Sequence, residues 1–334
     1  MDHERLIRIY NALPELRMKV LHQMLLGKRK KTIADELRIY SIDAVTAHFK
    51  EIYKAFKVFL EGADPESKRA EIVRVFYSEA PLLVARIRIQ YRSTVPLGDK
   101  PIQFGPAIEK INEYKFELSK VRTDEIPSLQ LFGRKYFKAE NHLPTELIES
   151  WHEVDTNSIR KMTNLNGRLN GFFIILFLKS DYLIEFLNGR LKEACFTQAA
   201  ILSDKWIPTM HESCVYISVV VGETGHSISN ICIILLLAKY IDLIRMHRRV
   251  SMLCATSATE SGKSLLVDHL GFRLLSAAED RIDKDDLYAT EIVDDNVPLF
   301  SLLIERYPAF QHCSHNLDLS NQCSWAPIYP KPTH

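Results

Sequence analysis

Cysteine and long apolar stretches are scarce in this 334-residue chain, and both shortages exclude classes of protein. The first 194 residues contain no cysteine, and the six cysteines that follow form no Cys-x-x-Cys pair. This argues against a disulfide framework, so a reducing cytoplasm is the expected compartment. The amino terminus has no apolar segment typical of a signal peptide, and the apolar stretch 228–244 is interrupted by Lys239 and Asp242. We therefore expect a cytoplasmic protein without a membrane span.

Net charge is also small, because 43 Lys and Arg face 42 Asp and Glu. This excludes a uniformly basic protein, but the charge is uneven. Residues 1–60 contain twelve Lys and Arg against seven Asp and Glu. A basic amino-terminal module predicts a polyanionic partner for that module only. With 46% apolar and 25% charged residues, the chain has globular composition, and its length suits about two domains.

Helical periodicity dominates the first eighty residues. Apolar residues recur at helical spacing in three segments between Leu13 and Val58, and Gly27 ends the first of them. Ser41 is the expected N-cap of the third helix, and another helix follows Asp64 and runs to about Tyr77. A short helix followed by a longer one predicts a helix-turn-helix, whose second helix enters the DNA major groove.

The spacing of these residues resembles the LuxR-type DNA-binding domain over about residues 11–77. The similarity lies in Gly27, the Ile33-Ala34 pair, Val45, His48 and the Ile52-Tyr53 pair. Departures from the family pattern are Leu16-Arg17, Ala44 and Thr46. The resemblance implies binding to double-stranded DNA and dimerisation through the fourth helix. The expected DNA contacts are Lys28, Arg29, Lys30, Lys31, Ser41, Thr46, Lys50 and Lys54. The alternative is a three-helix module that binds protein.

Residues 116–293 show a different pattern, in which strands and helices alternate. Residues 82–91 are predicted as a strand within a connector, 79–115. Beyond it, a hairpin signal surrounds Leu165-Asn166-Gly167, and residues 181–210 are predicted as a helical insertion. Strands are expected at 116–121, 158–164, 170–179, 214–221, 250–254 and 287–293. Helices are expected at 124–137, 143–154, 228–247 and 257–270, the last ending at Gly271.

This order, with the segment Ala255–Leu266 leading into Leu270-Gly271-Phe272, resembles the GNAT superfamily of acetyltransferases. The resemblance implies that a diphosphate of acetyl-CoA, or another acyl-CoA, binds after the fourth strand, where backbone N–H groups converge at a helix N-terminus. The expected ligand contacts are Val221, Gly222, Gly225, His226, Ser227, Ser261 and Lys263. Glu223 places a negative charge in this turn, and a plain strand-to-helix turn would give the same pattern.

Catalytic residues are harder to identify. Glu212 is a conceivable general base, although an exposed strand-edge residue is the simpler interpretation. Tyr216 is expected in the core, and Val267 stands where the family often has a Tyr acid.

Two further motifs are discounted. Residues 257–264 resemble a P-loop but lack its first glycine. A zinc site at His312, Cys313, His315 and Cys323 lacks a typical spacing, so no metal is expected.

Together these patterns predict an α+β protein of two domains. Residues 1–78 form the helix-turn-helix module, 79–115 the connector, 116–297 the GNAT-like mixed α/β sheet domain and 298–334 a loosely ordered extension. The leading hypothesis is a homodimeric, sequence-specific transcriptional regulator whose second domain senses a ligand or dimerises. The alternatives are an acetyl-CoA-dependent N-acetyltransferase targeted by the helix-turn-helix module, and a pair of protein-interaction domains.

Overall fold

The computed structural model describes residues 2–91, 116–137, 142–203, 213–223, 227–248, 250–257 and 259–292. The fold is mixed α+β, as expected, with a helical amino-terminal part followed by a seven-stranded mixed sheet and its covering helices. Among these residues, no helix combines the length and apolar character needed to cross a membrane.

Six helices form the amino-terminal part, and the segments expected to be helical between Leu13 and Val58 are confirmed. Gly27 follows the second helix with a φ of +78°, a conformation that other residues rarely adopt. Ser41 Oγ accepts a 3.1 Å hydrogen bond from the Ala44 N–H, so Ser41 is the predicted N-cap. The helix that it caps is the fourth in the chain, because a helix at Asp2–Asn11 precedes the three that were expected. The helices are α1 (Asp2–Asn11), α2 (Glu15–Leu25), α3 (Lys30–Glu36), α4 (Ile42–Ala55), α5 (Lys68–Glu79) and α6 (Pro81–Tyr91).

The prediction of a strand at 82–91 is wrong, because this segment is the helix α6. It is buried on two sides. Val84 and Ile87 pack in the amino-terminal helical cluster, whereas Ala85 and Ile89 pack with residues of the sheet. A helix buried on both sides lacks a clean polar face, so its periodicity resembled that of a strand.

The strands form a sheet in the order β1-β2-β3-β4-β5-β7-β6. All neighbours are antiparallel except β4 and β5, which are parallel. The predicted hairpin is confirmed as β2 and β3. The sequence patterns did not separate β6 from the preceding turn. The strands are β1 (Phe116–Lys120), β2 (Ile159–Asn164), β3 (Leu169–Phe177), β4 (Ser213–Gly222), β5 (Val250–Thr256), β6 (Arg273–Ser276) and β7 (Leu287–Glu291).

Helices cover both faces of the sheet. α10 (Ser227–Arg248) packs on one face, where Tyr240 meets Phe173. α7 (Ile126–Gly133), α8 (Thr145–Val154) and α9 (Ser180–Leu187) cover the other face. α11 (Glu260–Ser264) is shorter than expected and continues into a single π-helical turn, after which Gly271 has a φ of +71°. The predicted helical insertion holds only α9 and two short 3-10 turns among its described residues.

α6 also joins the amino-terminal helices to the sheet. Arg86 Nε lies 3.1 Å from Glu291 Oε1 at the end of β7. Arg273 of β6 donates a 3.4 Å hydrogen bond to the Ile89 carbonyl. Part of the predicted connector is therefore a packed helix, while residues 92–115 and 298–334 lie outside the described residues.

Candidate functional site

The parallel strands β4 and β5 pair only along the first half of β4, because β5 ends at Thr256. Their pairing runs from Ser213 with Val250 to Ile217 with Ala255. On its other edge β4 pairs with β3 from Val215 to Gly222, and the register shifts so that Ile174 faces Val219 while Ile175 faces Ile217. Ser218 is thus the extra residue of a β-bulge. Bulges bend a strand and re-aim side chains, so this one accounts for the orientation of the Ser218 hydroxyl.

A cavity of about 660 Å³ lies beside this bulge and the end of β5. Its walls come from α7, from β3 to β5, from the first turns after β5 and from two loop segments. Volumes of a few hundred Å³ suit a small organic ligand, and mostly apolar walls with few polar groups are typical of ligand sites. The loop segments supply charged groups, which are the carboxyls of Glu193, Asp283 and Asp285 and the ammonium groups of Lys192 and Lys284.

Glu193 is the central ionisable group of the cavity. It begins a short 3-10 helix between α9 and β4, and its Oε1 accepts a hydrogen bond from Ser218 Oγ at the bulge. Burial raises the pKa of Glu193 to about 7, while hydrogen bonds from Ser218 and Tyr216 act to lower it and the charges of Asp283 and Asp285 act to raise it. The carboxyl is enclosed by protein, yet the residue keeps partial exposure through the cavity. A carboxyl with this pKa exchanges its proton near neutral pH.

Tyr216 and Thr256 connect β4 to β5 beside this carboxyl. The Tyr216 hydroxyl and Thr256 Oγ1 are 3.1 Å apart, and burial raises the pKa of Tyr216 well above its ordinary value. Tyr216 is fully buried, as expected of a core residue, but it also lines the cavity. It therefore remains a neutral hydrogen-bonding group that helps to fix Glu193.

A tight acidic turn lies near Glu193 in the cavity wall. Arg281 is fully buried and binds Asp283, and Asp283 Oδ1 accepts the Asp285 N–H at 3.3 Å. Asp285 accepts no hydrogen bond from the described residues, and burial raises its pKa, with the Asp283 and Asp286 charges adding to the rise. Asp286 is engaged elsewhere, because it accepts hydrogen bonds from the Ala278 N–H and the Tyr288 hydroxyl.

Gly222 ends β4 and lies against the first turn of α10. A Cβ at Gly222 would come within 3.0 Å of Asn230 Cα and would overlap the Asn230 side-chain amide, so only glycine fits this contact. Strand β4 and the first turn of α10 thus approach each other closely. Val221 is buried beside Gly222, and the cavity reaches Val220.

The remaining residues of the expected CoA set are placed less fully. Ser227 is the first residue of α10 and Ser261 lies in α11, with side chains outside the described part. Lys263 is exposed in α11, with Nζ 3.9 Å from Asp286 Oδ2. Gly225, His226 and the candidate base Glu212 lie outside the described residues.

Glu223, expected to repel a diphosphate, is held against the β2–β3 hairpin. Its carboxylate accepts hydrogen bonds from Arg168 and, at 2.8 Å, from the Asn170 amide. The Glu223 N–H donates to the Asn170 carbonyl at 2.9 Å. Arg168 therefore compensates the negative charge of Glu223.

No motif pointed to Glu193 in the sequence. The residue lies in a segment expected to be an ordinary helical insertion, and its environment comes from the bulge at Ser218, 25 positions away. A lone carboxyl among polar and apolar neighbours gives no periodic or spacing signal.

The expected DNA contacts divide into engaged and exposed residues. Lys28 Nζ lies 2.5 Å from Glu36 Oε2, and Lys30 Nζ lies 5.5 Å from the centre of the Phe49 ring. Thr46 donates its hydroxyl to the Ile42 carbonyl at 3.0 Å, and Ser41 serves as the N-cap. The exposed members of the set are Arg29, Lys31, Lys50 and Lys54.

The comparisons with known proteins leave the family open. No protein-family model and no curated protein matches the chain. The seven-stranded mixed sheet is compatible with a GNAT-like fold. Solved structures that are similar to part of the chain include a GNAT-family acetyltransferase from Listeria monocytogenes and the C-terminal condensation domain of Ebony in complex with β-alanyl-dopamine.

Both alignments are distant. The Listeria protein is 16% identical, with 53% of this chain and 95% of that chain covered and a TM-score of 0.35. The Ebony domain is 12% identical, with 54% and 100% covered and a TM-score of 0.36. With TM-scores below 0.5, neither likeness determines what this chain binds or does.

Proposed function

We propose that this chain is an acyl-CoA-dependent N-acyltransferase that uses Glu193 as its general base. One observation carries the proposal: the Glu193 carboxyl is held by Ser218 at the bulge of β4 beside the end of β5, in the wall of the cavity of about 660 Å³. The unpaired edge of β4, the cavity and the ionisable group thus coincide.

The backbone beside the cavity fits a CoA thioester. The edge of β4 beyond Ile217 has no β5 partner, so its peptide groups are available to a ligand chain. Gly222 allows α10 to start close to the end of β4, where N–H groups favour a diphosphate. A bound CoA thioester would supply an acyl carbon for attack by an amine, with the C–S bond breaking and thiol leaving as the amide C–N bond forms.

The residues of the chain then have defined tasks. An amine attacks only after losing the proton of its ammonium form, and Glu193 with a pKa of about 7 accepts that proton near neutral pH. Ser218 and Tyr216 donate hydrogen bonds that fix the carboxyl and favour its ionised form. The apolar walls limit water at the site, which protects the thioester from hydrolysis.

Thiol release tests this proposal. Purified protein, acetyl-CoA and a panel of primary amines should give thiol release that depends on both the amine and the protein. Glu193→Gln should lower the rate by about 10²–10⁴-fold, the usual contribution of a general base. Glu185→Gln is the matched control, because Glu185 of α9 pairs with exposed Arg190 and neither residue lines the cavity. Absence of thiol release with every amine, together with no acetyl-CoA binding in calorimetry, would contradict the proposal.

DNA binding by α3 and α4 is a second candidate function, favoured by the exposed basic residues of these helices. α4 buries Val45, Phe49 and Ile52 against neighbouring helices, which leaves Lys50 and Lys54 on its outer side. Such a face suits contact with phosphates, and a homodimer would present two of them to two half-sites. In a regulator of this kind, the cavity would take a sensed acyl-CoA. Gel-shift titration of duplex DNA at several salt concentrations tests DNA binding by α3 and α4. Absence of binding at low salt would contradict this second function.

A further inference from the structure

The cavity has two chemically different sides, and the strand order separates them. On the side of β2 and β3, its wall is made of apolar side chains from α7, the segment after α7, and the strands themselves: Ile126, Leu129, Phe137, Leu143, Ile159 and Phe172. On the side of β4, β5 and β7, two loop segments bring three carboxyl groups, those of Glu193, Asp283 and Asp285, with the side chains of Lys192 and Lys284 next to them in sequence. A ligand that fills the cavity therefore contacts both an apolar wall and an acidic rim.

We propose that the amine accepted at this site carries an apolar body, either alkyl or aromatic, with its ammonium group at the acidic rim and its body along the α7–β3 wall. The inference rests on the proposed function for the acyl-transfer step, but binding of the amine can be measured without that step.

The charges around the cavity favour a single cation. Asp283 is bound by two hydrogen bonds from Arg281, whereas Asp285 accepts no hydrogen bond from a cation among the described residues and feels Arg281 only through its charge. Two lysines also line the cavity: Lys284 donates its ammonium to the Glu279 carbonyl at 3.5 Å, and Lys192 is exposed.

Two basic groups lie on the apolar side of the cavity, and both have partners there. Arg134 donates to the Gln130 side chain at 3.4 Å, and a ring nitrogen of His142 lies 3.0 Å from the Phe137 carbonyl. Among the described residues, Glu193 and Asp285 are the lining carboxyl groups without a hydrogen-bonded cationic partner, and the proposal assigns both to one ammonium ion. A polycation would place its further charges against the apolar wall, which costs desolvation energy.

The wall also limits the size of the body. Gly133 of α7 faces Phe172, and a Cβ at Gly133 would lie 3.3 Å from the end of the Phe172 ring. Phe132 packs edge-to-face on the same ring, with centroids 6.3 Å apart, so the ring has little freedom to move aside. An apolar body that reaches this wall gains roughly fourfold in affinity for each buried methylene group.

Calorimetry without a CoA thioester tests the inference. The probes are ethylamine, hexylamine, phenethylamine, its neutral analogue 2-phenylethanol, and spermidine. Affinity should rise about fourfold per methylene from ethylamine to hexylamine. Phenethylamine should bind at least about tenfold more tightly than 2-phenylethanol, because it adds one ammonium–carboxylate contact in a partly enclosed site. It should also bind more tightly than spermidine.

Proton release gives a second readout that does not depend on activity. An ammonium ion beside Glu193 favours its ionised form, so amine binding at pH 7 should release part of a proton. Heats measured in two buffers of different ionisation enthalpy report this release. Glu193→Gln should abolish it.

Two variants separate the two sides of the cavity. Asp285→Asn should weaken phenethylamine about tenfold, because one charge contact is removed, and leave 2-phenylethanol unchanged, with Asp181→Asn on α9 as the control. Gly133→Ala narrows the apolar wall, so it should weaken phenethylamine and leave ethylamine unchanged. Because α-helices favour alanine over glycine, this variant is expected to fold.

The outcomes distinguish this inference from the proposed function. Amine binding in the predicted order without thiol release would support the inference and contradict the acyltransferase. Thiol release with hydrophilic amines or spermidine but not with phenethylamine would support the acyltransferase and contradict the inference. Equal binding of phenethylamine and 2-phenylethanol, or no binding of any probe, would overturn the inference.

Discussion

Arg281 binds Asp283 through two hydrogen bonds, 3.0 Å from Nε to Oδ1 and 2.6 Å from Nη2 to Oδ2. The Arg281 side chain is 0% exposed. Its third nitrogen donates to the Phe186 carbonyl at 2.9 Å, and its guanidinium lies 4.9 Å from the centre of the Phe186 ring. Arg281 thus holds the acidic turn of Asp283 and Asp285 against the end of α9, from which the chain continues to Glu193.

We predict that Arg281→Met destabilises the protein by about 3–5 kcal/mol, the usual cost of breaking a buried ion pair by removing one partner. The loss arises because the Asp283 carboxylate and the Phe186 carbonyl remain buried without their donor. Urea denaturation followed by tryptophan fluorescence and circular dichroism measures the change.

The matched double variant identifies the cause. Arg281→Met with Asp283→Asn removes both charges, so it should recover a substantial part of the lost free energy of unfolding. If the double variant is as unstable as the sum of the two single variants, then the pair is not coupled and its assigned role is wrong.

Gly222 gives a prediction about the CoA site. Gly222→Ala introduces a Cβ 3.0 Å from Asn230 Cα, which must displace the first turn of α10. We expect acetyl-CoA affinity in calorimetry to fall at least about tenfold, because the N–H groups at a displaced helix start no longer converge on a diphosphate. Gly62→Ala is the control, since Gly62 has a φ of +85° but lies in an amino-terminal loop with open space around it. Equal reductions of affinity in both variants would contradict the assignment.

Lys50 and Lys54 give a prediction about DNA. Because both are exposed on α4, replacing both with Ala should weaken duplex binding and reduce the salt slope of log K by about 0.9 for each phosphate that is no longer neutralised. Lys28→Ala should have a smaller effect, because Glu36 already pairs with Lys28. Fluorescence anisotropy with labelled duplex at several salt concentrations measures both. A larger effect of Lys28→Ala would refute the role of the α4 face.

Local signals made the elements predictable, whereas the site depends on contacts distant in sequence. Ser41 marks a helix start through its own side chain, and the hairpin at Gly167 needs only adjacent residues. α6 escaped prediction because its burial depends on two separate clusters. The environment of Glu193 comes from Ser218 and from the charges of Asp283 and Asp285, none of them near it in sequence. Periodicity describes one element at a time, so it cannot reveal a carboxyl whose pKa is set by three segments.

The pH dependence of kcat/KM for acyl transfer from acetyl-CoA to phenethylamine tests the central claim most directly. A general base acts only when deprotonated, so kcat/KM should be low below the pKa of Glu193 and rise through an ionisation near pH 7. Ser218→Ala removes a hydrogen bond that lowers this pKa, so it should move the ionisation to higher pH. Glu193→Gln should abolish the ionisation and most of the rate. An unchanged profile in Glu193→Gln would contradict the account.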